Sequence, residues 1–143
     1  KVYEELGVEH IAVLGFNPHA GDNGVIGDED EEIKKAIVKA NHFLEREVFF
    51  GPFVPDMAFT KANREKFTHF VCMYHDQGLI PLKMLYFEES INVSLNAGIV
   101  RTSVDHGTAF DIAYKDANPS LSSYINAVKE AVKLAFGKTL LTF

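Results

Sequence analysis

The sequence predicts an α/β fold in which helices cover both faces of a mostly parallel sheet. Short apolar segments typical of strands alternate along the chain with segments of helical periodicity. Several strand segments are apolar throughout, as expected of strands buried between two helical layers. A chain of 143 residues, 47% hydrophobic and 24% charged, suffices for one such domain. We therefore expect one α/β segment over residues 1–143, with functional residues in the loops that leave the strands.

Four strands and four helices are predicted from the apolar pattern and the Gly and Pro positions. The predicted strands, in chain order, are 10–15, 48–50, 67–73 and 91–95. The second strand is expected to stop at the pair Gly51-Pro52. The predicted helices are one that starts in the acidic block 28–32, then 56–63, 78–85 (with Pro81 near its start) and 119–136.

The first and last helices each have an apolar stripe. In the first helix the stripe consists of Ile33, Ala36, Ile37, Ala40 and Leu44. The acidic block favours a helix first turn, where carboxylates meet the positive end of the helix dipole, over a metal site. The last helix is expected to begin at Pro119 with Asn118 as cap, and to end at Gly137. Its predicted inner face consists of Leu121, Ile125, Val128, Val132 and Ala135.

Composition and charge exclude several classes of function. A net charge of −6 argues against nucleic acid as a partner, because binding phosphates needs clustered Lys and Arg. No apolar run approaches the roughly 20 residues that span a bilayer, and residues 1–10 do not resemble a signal peptide. The single cysteine, Cys72, is interpreted as a buried strand residue. We expect a cytoplasmic protein without nucleic-acid or membrane partners.

Polar side chains that suit metal binding follow two of the predicted strands. His19 follows the first strand, and His75 with Asp76 follows the third. Imidazole and carboxylate groups are common ligands of divalent cations, and strand ends at one edge of a sheet can converge on one ion. The alternative is that each histidine is an isolated loop residue with a hydrogen-bond partner. The spacing alone favours this alternative.

Two further sets of residues are considered as anion sites, a glycine-rich run and a group of three donor side chains. The glycine-rich run 21–27 contains no Lys or Arg and is flanked by Asp22 and Asp28, so we interpret it as a turn that positions His19. Lys83, Asn92 and Arg101 combine an ammonium, an amide and a guanidinium that could clamp a carboxylate or phosphate. Solvated surface charges are an equally good interpretation of this set.

Four long motifs together resemble the 4-hydroxythreonine-4-phosphate dehydrogenase family. They read LGFNPHAGDNGVIG, GPFVPDMAF, MYHDQGLIPLK and VRTSVDHGTAFDIA, in family order, and the similarity runs from about residue 8 to the C-terminus. The stretch HGTAFDIA is also similar to the adenosine-binding loop of the isocitrate and isopropylmalate dehydrogenase superfamily. The resemblance therefore implies a three-layer fold of that superfamily.

The resemblance also implies a reaction. It is the NAD- or NADP-dependent oxidation and decarboxylation of 4-phosphooxy-L-threonine to 3-amino-2-oxopropyl phosphate, in pyridoxal phosphate biosynthesis. A divalent metal, such as zinc, magnesium, manganese or cobalt, acts as Lewis acid in the family. Family members are homodimers with the active site at the interface.

The family's roles carry over to matching positions. The resemblance makes His19 and His75 metal ligands, which reverses the interpretation from spacing. It implies catalytic roles for His75, Asp76 and Lys83. Substrate contacts would come from Asp56, Lys83, Asn92 and Arg101. The nucleotide would lie near His106, Thr108 and Asp111.

The chain departs from the family at several points. The family usually has two glycines where Asn23-Gly24 stands, often has a proline near Gly98, and commonly has glycine at the position of Tyr114, which could crowd the adenosine. Family members are about twice as long, and their N-terminal part supplies a third histidine and the residues that hold the substrate phosphate.

We therefore expect the C-terminal, metal- and nucleotide-binding half of a longer dehydrogenase, with weakened metal binding and little turnover by itself. Two alternatives remain. One is a dehydrogenase of another four-carbon hydroxy-acid phosphate, of the threonate or erythronate type. The other is a non-catalytic binding module that retains the fold.

Overall fold

The computed structural model describes residues 7–105, 107, 110, 112–115 and 120–136. These residues belong to two compact units that divide between Pro81 and Leu82. Each unit is described by itself. None of the helices in the described ranges is both long and apolar enough to cross a bilayer.

The first unit contains a three-stranded parallel sheet, as the apolar strand pattern predicts. Its strands are β1 (Ile11–Leu14), β2 (Phe49–Phe53) and β3 (His69–Val71), in the order β2-β1-β3. All four residues of the central strand are buried. The three strands run in the same direction, so their carboxyl ends meet at one edge of the sheet.

Helix α1 (Glu29–Leu44) packs on one face of this sheet and begins in the acidic block, as predicted. Its apolar residues line a depression together with side chains of all three strands. The lining residues are Val13, Ile33, Ala36, Ile37, Ala40, Phe49, Val71 and Met73. The predicted apolar stripe therefore faces the sheet, although the stripe remains only half-buried.

Three shorter helices follow in the first unit: α2 (Pro55–Ala58), α3 (Lys61–Lys66) and α4 (His75–Tyr86), of which α4 continues beyond Pro81. The predicted single helix over 56–63 is wrong, because Phe59 and Thr60 are not helical and separate α2 from α3. The Phe59 ring packs against Phe70 of β3 with centroids 4.9 Å apart, which takes this residue out of a continuous helix. The Phe67 ring, just after α3, contacts Phe50 of β2 in the same way, at 5.8 Å.

Strand β2 is longer than predicted. It does not stop at Gly51-Pro52 but runs through this pair to Phe53, across a cis peptide bond. Proline lacks a backbone N–H. It is tolerated in β2 because β2 is an edge strand, and on the outer side of an edge strand this donor is not needed for pairing. Glycine is required at 51, since its φ is +140° and a Cβ would lie 2.3 Å from the carbonyl oxygen of Val13.

Strand β3 is shorter than predicted, and helix α4 begins three residues earlier. The pairing of β3 with β1 ends at Val71, opposite Val13. Two residues later, the backbone N–H of Met73 donates to the Gln77 side chain (2.8 Å) instead of to a strand. His75 and Asp76 therefore lie in the first turn of α4 rather than in an exit loop, and Pro81 lies well inside the helix.

The second unit contains a two-stranded antiparallel sheet and a helix. Strands β4 (Ile91–Ser94) and β5 (Arg101–Val104) pair antiparallel, with Asn92 opposite Ser103 and Ser94 opposite Arg101. Strand β5 was not predicted, because its polar residues indicate an exit loop. Arg101 and Ser103 alternate with Thr102 and Val104, which lie on the opposite face of the sheet. This period of two is typical of a half-exposed strand.

Helix α5 (Ser122–Phe136) packs on the two-stranded sheet by a different face from the predicted one. Ser123 and Ala127 are buried, whereas Leu121 of the predicted inner face is 64% exposed. The hydroxyl of Thr102 donates to the Ala127 carbonyl (2.8 Å), and that of Ser123 to the Ser90 carbonyl (2.6 Å). These small side chains let the helix approach the sheet closely. The predicted helix ends, Asn118, Pro119 and Gly137, lie outside the described residues.

Candidate functional site

The segment that carries His19 has an unusual backbone. It follows β1, and every residue from His19 to Gly24 has a positive φ, between 43° and 88°. L-residues disfavour this left-handed conformation, by roughly 1–2 kcal/mol each, and glycine and asparagine tolerate it best. The conformation therefore suits Gly21, Asn23 and Gly24, but His19, Ala20 and Asp22 need outside support.

Asp30 provides that support from the first turn of α1. One of its carboxylate oxygens accepts the backbone N–H of Phe16 (2.8 Å), and the other accepts the N–H of Asn17 (3.0 Å). The second oxygen also accepts the side-chain amide of Asn17 (3.0 Å). Asp30 is only 2% exposed, so a buried carboxylate fixes the two residues that lead into the His19 segment.

The Asn17 side chain is shared with a second carboxylate. Its amide nitrogen lies 2.7 Å from an oxygen of Glu29, and this hydrogen bond lowers the pKa of Glu29. A side chain at Gly27 would collide with Asn17, because a Cβ there would lie 2.6 Å from the amide nitrogen. The Asn17 side chain therefore bonds to the start of helix α1 and packs directly against Gly27.

His19 and Asp56 line one depression at the carboxyl edge of the parallel sheet. Its volume is about 270 Å³, and its other lining residues are Phe16, Pro18, Pro55 and Tyr74. The rings of Phe16 and Tyr74, which both line it, meet edge-to-face with centroids 6.3 Å apart. The ends of β1, β2 and β3 therefore all contribute to one site.

His75 directly follows Tyr74 and is oriented by its neighbour. Its Nδ1 lies 2.7 Å from a carboxylate oxygen of Asp76, and both side chains are exposed. With Nδ1 protonated and bonded to Asp76, the Nε2 lone pair of the ring is the one available to a cation. The His75 ring does not itself line the depression that contains His19.

The donors in this region fit a divalent cation in kind, because imidazole nitrogen and carboxylate oxygen are its usual ligands. Within the described ranges, however, no group of three or more His, Cys, Asp or Glu side chains is arranged to enclose an ion. His19 and His75 are thus candidate ligands, and the described residues add no third donor grouped with them.

In the second unit, Lys83 is held by Asp105 at the end of β5. Its ammonium donates to the Asp105 backbone carbonyl (2.8 Å) and lies 3.4 Å from the carboxylate. The same carboxylate accepts the hydroxyl of Ser90 (3.0 Å). Lys83 is therefore a half-buried cation in a fixed position rather than a mobile surface charge.

Asn92 and Arg101 share one face of the β4–β5 sheet. Asn92 and Ser94 alternate with the residues that face α5, and Arg101 lies opposite Ser94, whose hydroxyl accepts its guanidinium at 3.2 Å. Both Asn92 and Arg101 are exposed. The two polar groups thus point from the free side of the sheet.

The predicted nucleotide residues His106, Thr108 and Asp111 all lie outside the described residues. Tyr114 is described and has a φ of +59° with a fully exposed side chain. This backbone conformation is left-handed, which glycine adopts most easily, and so glycine suits this position in the family motif.

Sequence reasoning missed three residues that organise these sites: Asp30, Gln77 and Asp105. Asp30 stands in a block of five acids, and its burial is the only feature that separates it from its neighbours.

Cys72 is half-buried after β3 rather than within it, and burial raises the pKa of its thiol. The raised pKa agrees with a structural rather than a reactive cysteine.

Comparison with known proteins identifies the family. A family model described as "Pyridoxal phosphate biosynthetic protein PdxA" matches residues 2–131. The chain belongs to the PdxA family. It is 65% identical over 126 residues to the 4-hydroxythreonine-4-phosphate dehydrogenase of Sulfurimonas denitrificans, covering 88% of this chain and 41% of the relative. It is 61% identical over 133 residues to that of Campylobacter fetus, covering 92% and 43%.

Solved structures show the same relationship. The crystal structure of the 4-hydroxythreonine-4-phosphate dehydrogenase of Klebsiella pneumoniae superposes with a TM-score of 0.72 at 39% identity, over 92% of this chain and 40% of that one. A terephthalate 1,2-cis-dihydrodiol dehydrogenase of Burkholderia xenovorans gives 0.64 at 31% identity, over 91% and 42%. The chain thus spans about two-fifths of the length of these relatives.

Proposed function

We propose that this chain is the part of a 4-hydroxythreonine-4-phosphate dehydrogenase that supplies metal and substrate ligands. The enzyme oxidises and decarboxylates 4-phosphooxy-L-threonine with NAD or NADP, and the chain by itself turns over little substrate. The observation that carries this proposal is the placement of His19, Asp56 and Tyr74 around one depression at the strand ends, in a chain whose relatives at 61–65% identity bear this enzyme's name.

His19 and His75 are the proposed protein ligands of a divalent cation such as zinc, magnesium, manganese or cobalt. When bound, the cation supplies Lewis acidity at the hydroxyl that is oxidised. Asp76 fixes the His75 ring and tautomer through the Nδ1 hydrogen bond, and so directs Nε2 outward. Asp56 lines the depression beside His19 and is proposed to contact a polar group of the substrate.

Lys83, Asn92 and Arg101 are proposed to hold the anionic groups of the substrate. Lys83 starts from a fixed position beside Asp105, so little side-chain entropy is lost when it meets an anion. Lys83 is also the proposed proton-transferring residue. Arg101 and Asn92 offer donors from the free face of β4 and β5, and a guanidinium suits bidentate contact with carboxylate or phosphate.

The nucleotide is proposed to lie near His106, Thr108 and Asp111, on the strength of the motif HGTAFDIA. We further propose a three-layer architecture of the isocitrate and isopropylmalate dehydrogenase type for the whole enzyme. It would act in the cytoplasm as a homodimer whose active site includes residues from both subunits.

A different substrate is the main competing proposal. A structural neighbour at 31% identity is named for a dihydrodiol of terephthalate, so this fold serves more than one hydroxylated substrate. The relatives at 56–65% identity are named for 4-hydroxythreonine 4-phosphate, and this higher identity favours that substrate over a four-carbon sugar-acid phosphate or a non-catalytic module.

The experiment is a chimera. The matching 126 residues of the Sulfurimonas denitrificans relative are replaced by those of this chain, and formation of NADH or NADPH is measured with 4-phosphooxy-L-threonine. The chimera is expected to turn over the substrate, to lose activity with a chelator and to regain it with a divalent metal. His75→Ala should lower the rate about tenfold or more.

The matched control is His42→Ala, which removes an exposed imidazole from helix α1 and should leave the rate unchanged. Faster turnover of a threonate or erythronate phosphate would favour the competing substrate. A folded chimera that oxidises neither compound would contradict the proposal.

A further inference from the structure

The side chain of Gln77 joins the two segments that carry His19 and His75. Its Nε2 donates to the backbone carbonyl of Gly15 (2.8 Å), and its Oε1 accepts the backbone N–H of Met73 (2.8 Å). Gly15 lies four residues before His19, and Met73 lies two residues before His75. Gln77 is 8% exposed, its hydrogen bond to Gly15 is buried, and its hydrogen bond to Met73 is half-buried.

The position of these bonds explains what they do. The pairing between β1 and β3 ends at Val13 and Val71, and no ladder bond joins these two strands beyond that point. An amide side chain has the same donor and acceptor as a peptide group, so Gln77 adds one further rung between the separating strands. Just beyond that rung, the rings of Phe16 and Tyr74 meet with centroids 6.3 Å apart.

We propose that Gln77 is a positioning residue that sets the spacing between the His19 and His75 segments. The requirement is for an amide, because Gly15 needs a donor and Met73 needs an acceptor from one side chain. A carboxylate offers no donor, and an apolar side chain offers neither group. The consequence for metal binding rests on the proposed function, whereas the spacing itself does not.

Two variants of the 143-residue chain test this. Gln77→Glu keeps the shape and the bond to Met73 but removes the donor to Gly15. Gln77→Met removes both bonds without burying a charge, and so remains informative if the first variant does not fold. The metal-free measurement is the set of nuclear Overhauser contacts between the Phe16 and Tyr74 rings, which both variants should weaken or lose.

The matched control is Asn41→Asp in helix α1, which bonds to strand β2 at the opposite edge of the same sheet. Asn41 accepts the N–H groups of Val48 and Phe49 and donates to the carbonyl of Phe49 (2.9 Å), so the aspartate removes a half-buried amide donor to a backbone carbonyl. It should lower stability much as Gln77→Glu does while leaving the Phe16–Tyr74 contacts intact. If Gln77 had a purely structural role, Gln77→Glu and Asn41→Asp would have the same effect on the Phe16–Tyr74 contacts.

The second measurement is titration with Co²⁺. We expect both Gln77 variants to bind Co²⁺ about tenfold or more weakly than the unaltered chain, and Asn41→Asp to bind it normally. Folded Gln77 variants with unchanged ring contacts and unchanged Co²⁺ affinity would overturn the inference. If His19→Ala and His75→Ala bind Co²⁺ as tightly as the unaltered chain, the proposed metal site fails instead, and the ring contacts alone decide the role of Gln77.

Discussion

Asp30 connects the start of helix α1 to the loop that carries His19. It accepts three hydrogen bonds from Phe16 and Asn17 and is 2% exposed. Hydrogen bonds to an ionised group are stronger than neutral ones, and a buried donor left without a partner is costly. These contacts hold the two residues that lead into a left-handed segment, a backbone conformation that is unfavourable by itself.

We expect Asp30→Asn to lower the free energy of unfolding by about 2 kcal/mol, because an amide cannot accept all three bonds and turns a donor toward another donor. Urea unfolding followed by circular dichroism measures this. The control is Asp28→Asn in the same acidic block, whose exposed side chain caps no backbone N–H and should change stability by under about 0.5 kcal/mol. Equal effects of the two substitutions would show that Asp30 acts only through general charge.

The candidate metal ligands could be identified from the sequence, but the residues that hold them could not. His19 and His75 stand within long family motifs, and the resemblance alone points to them, because their spacing by itself favours isolated loop histidines. Asp30 and Gln77 are ordinary polar residues. Asp30 bonds to backbone groups 13 and 14 positions away, and Gln77 joins Met73, four positions away, to Gly15, 62 positions away. Nothing in a single sequence marks such a pairing before the strands are placed.

At the level of elements, the central strand and the first helix follow directly from their sequence patterns. Strand β1 is apolar and wholly buried, and helix α1 presents its predicted stripe to the sheet. Strand β2 departs from prediction because an edge position accepts Gly51-Pro52, which usually ends a strand. Edge positions are set by sheet order, which local pattern does not contain.

Helix α5 departs from prediction for a different reason. Its periodicity predicts an apolar inner face, but the sheet contacts the small residues Ser123 and Ala127 instead. Leu121, Ile125 and Val128 of the predicted face remain exposed, as does the neighbouring Tyr124. Contiguous exposed apolar side chains on one helix face favour association.

We therefore expect the 143-residue chain to self-associate as its concentration rises, measured by light scattering. Val128→Lys should weaken association about tenfold or more, because burying an ammonium in an apolar contact costs more than ~1.4 kcal/mol. Ala62→Lys adds the same charge at an exposed position of α3 and should have no effect. A monomer at every concentration would contradict the expectation.

At the level of the whole molecule, the two compact units hold different members of the proposed ligand set. The unit up to Pro81 contains His19, Asp56 and His75, and the unit from Leu82 contains Lys83, Asn92 and Arg101. The chain spans about two-fifths of its relatives, and its described donors supply no complete set of three metal ligands. Both findings agree with a chain that carries part of an active site.

The central claim is that His19 and His75 bind one cation together, and long-range ¹H–¹⁵N spectra of the imidazole rings during a Zn²⁺ titration test it most directly. We predict that the Nε2 signal of His75 and a ring nitrogen of His19 shift in parallel and saturate at one zinc per chain, while His10, His42 and His69 stay unchanged. Independent titration of the two rings, or an equal response from the other histidines, would contradict the claim.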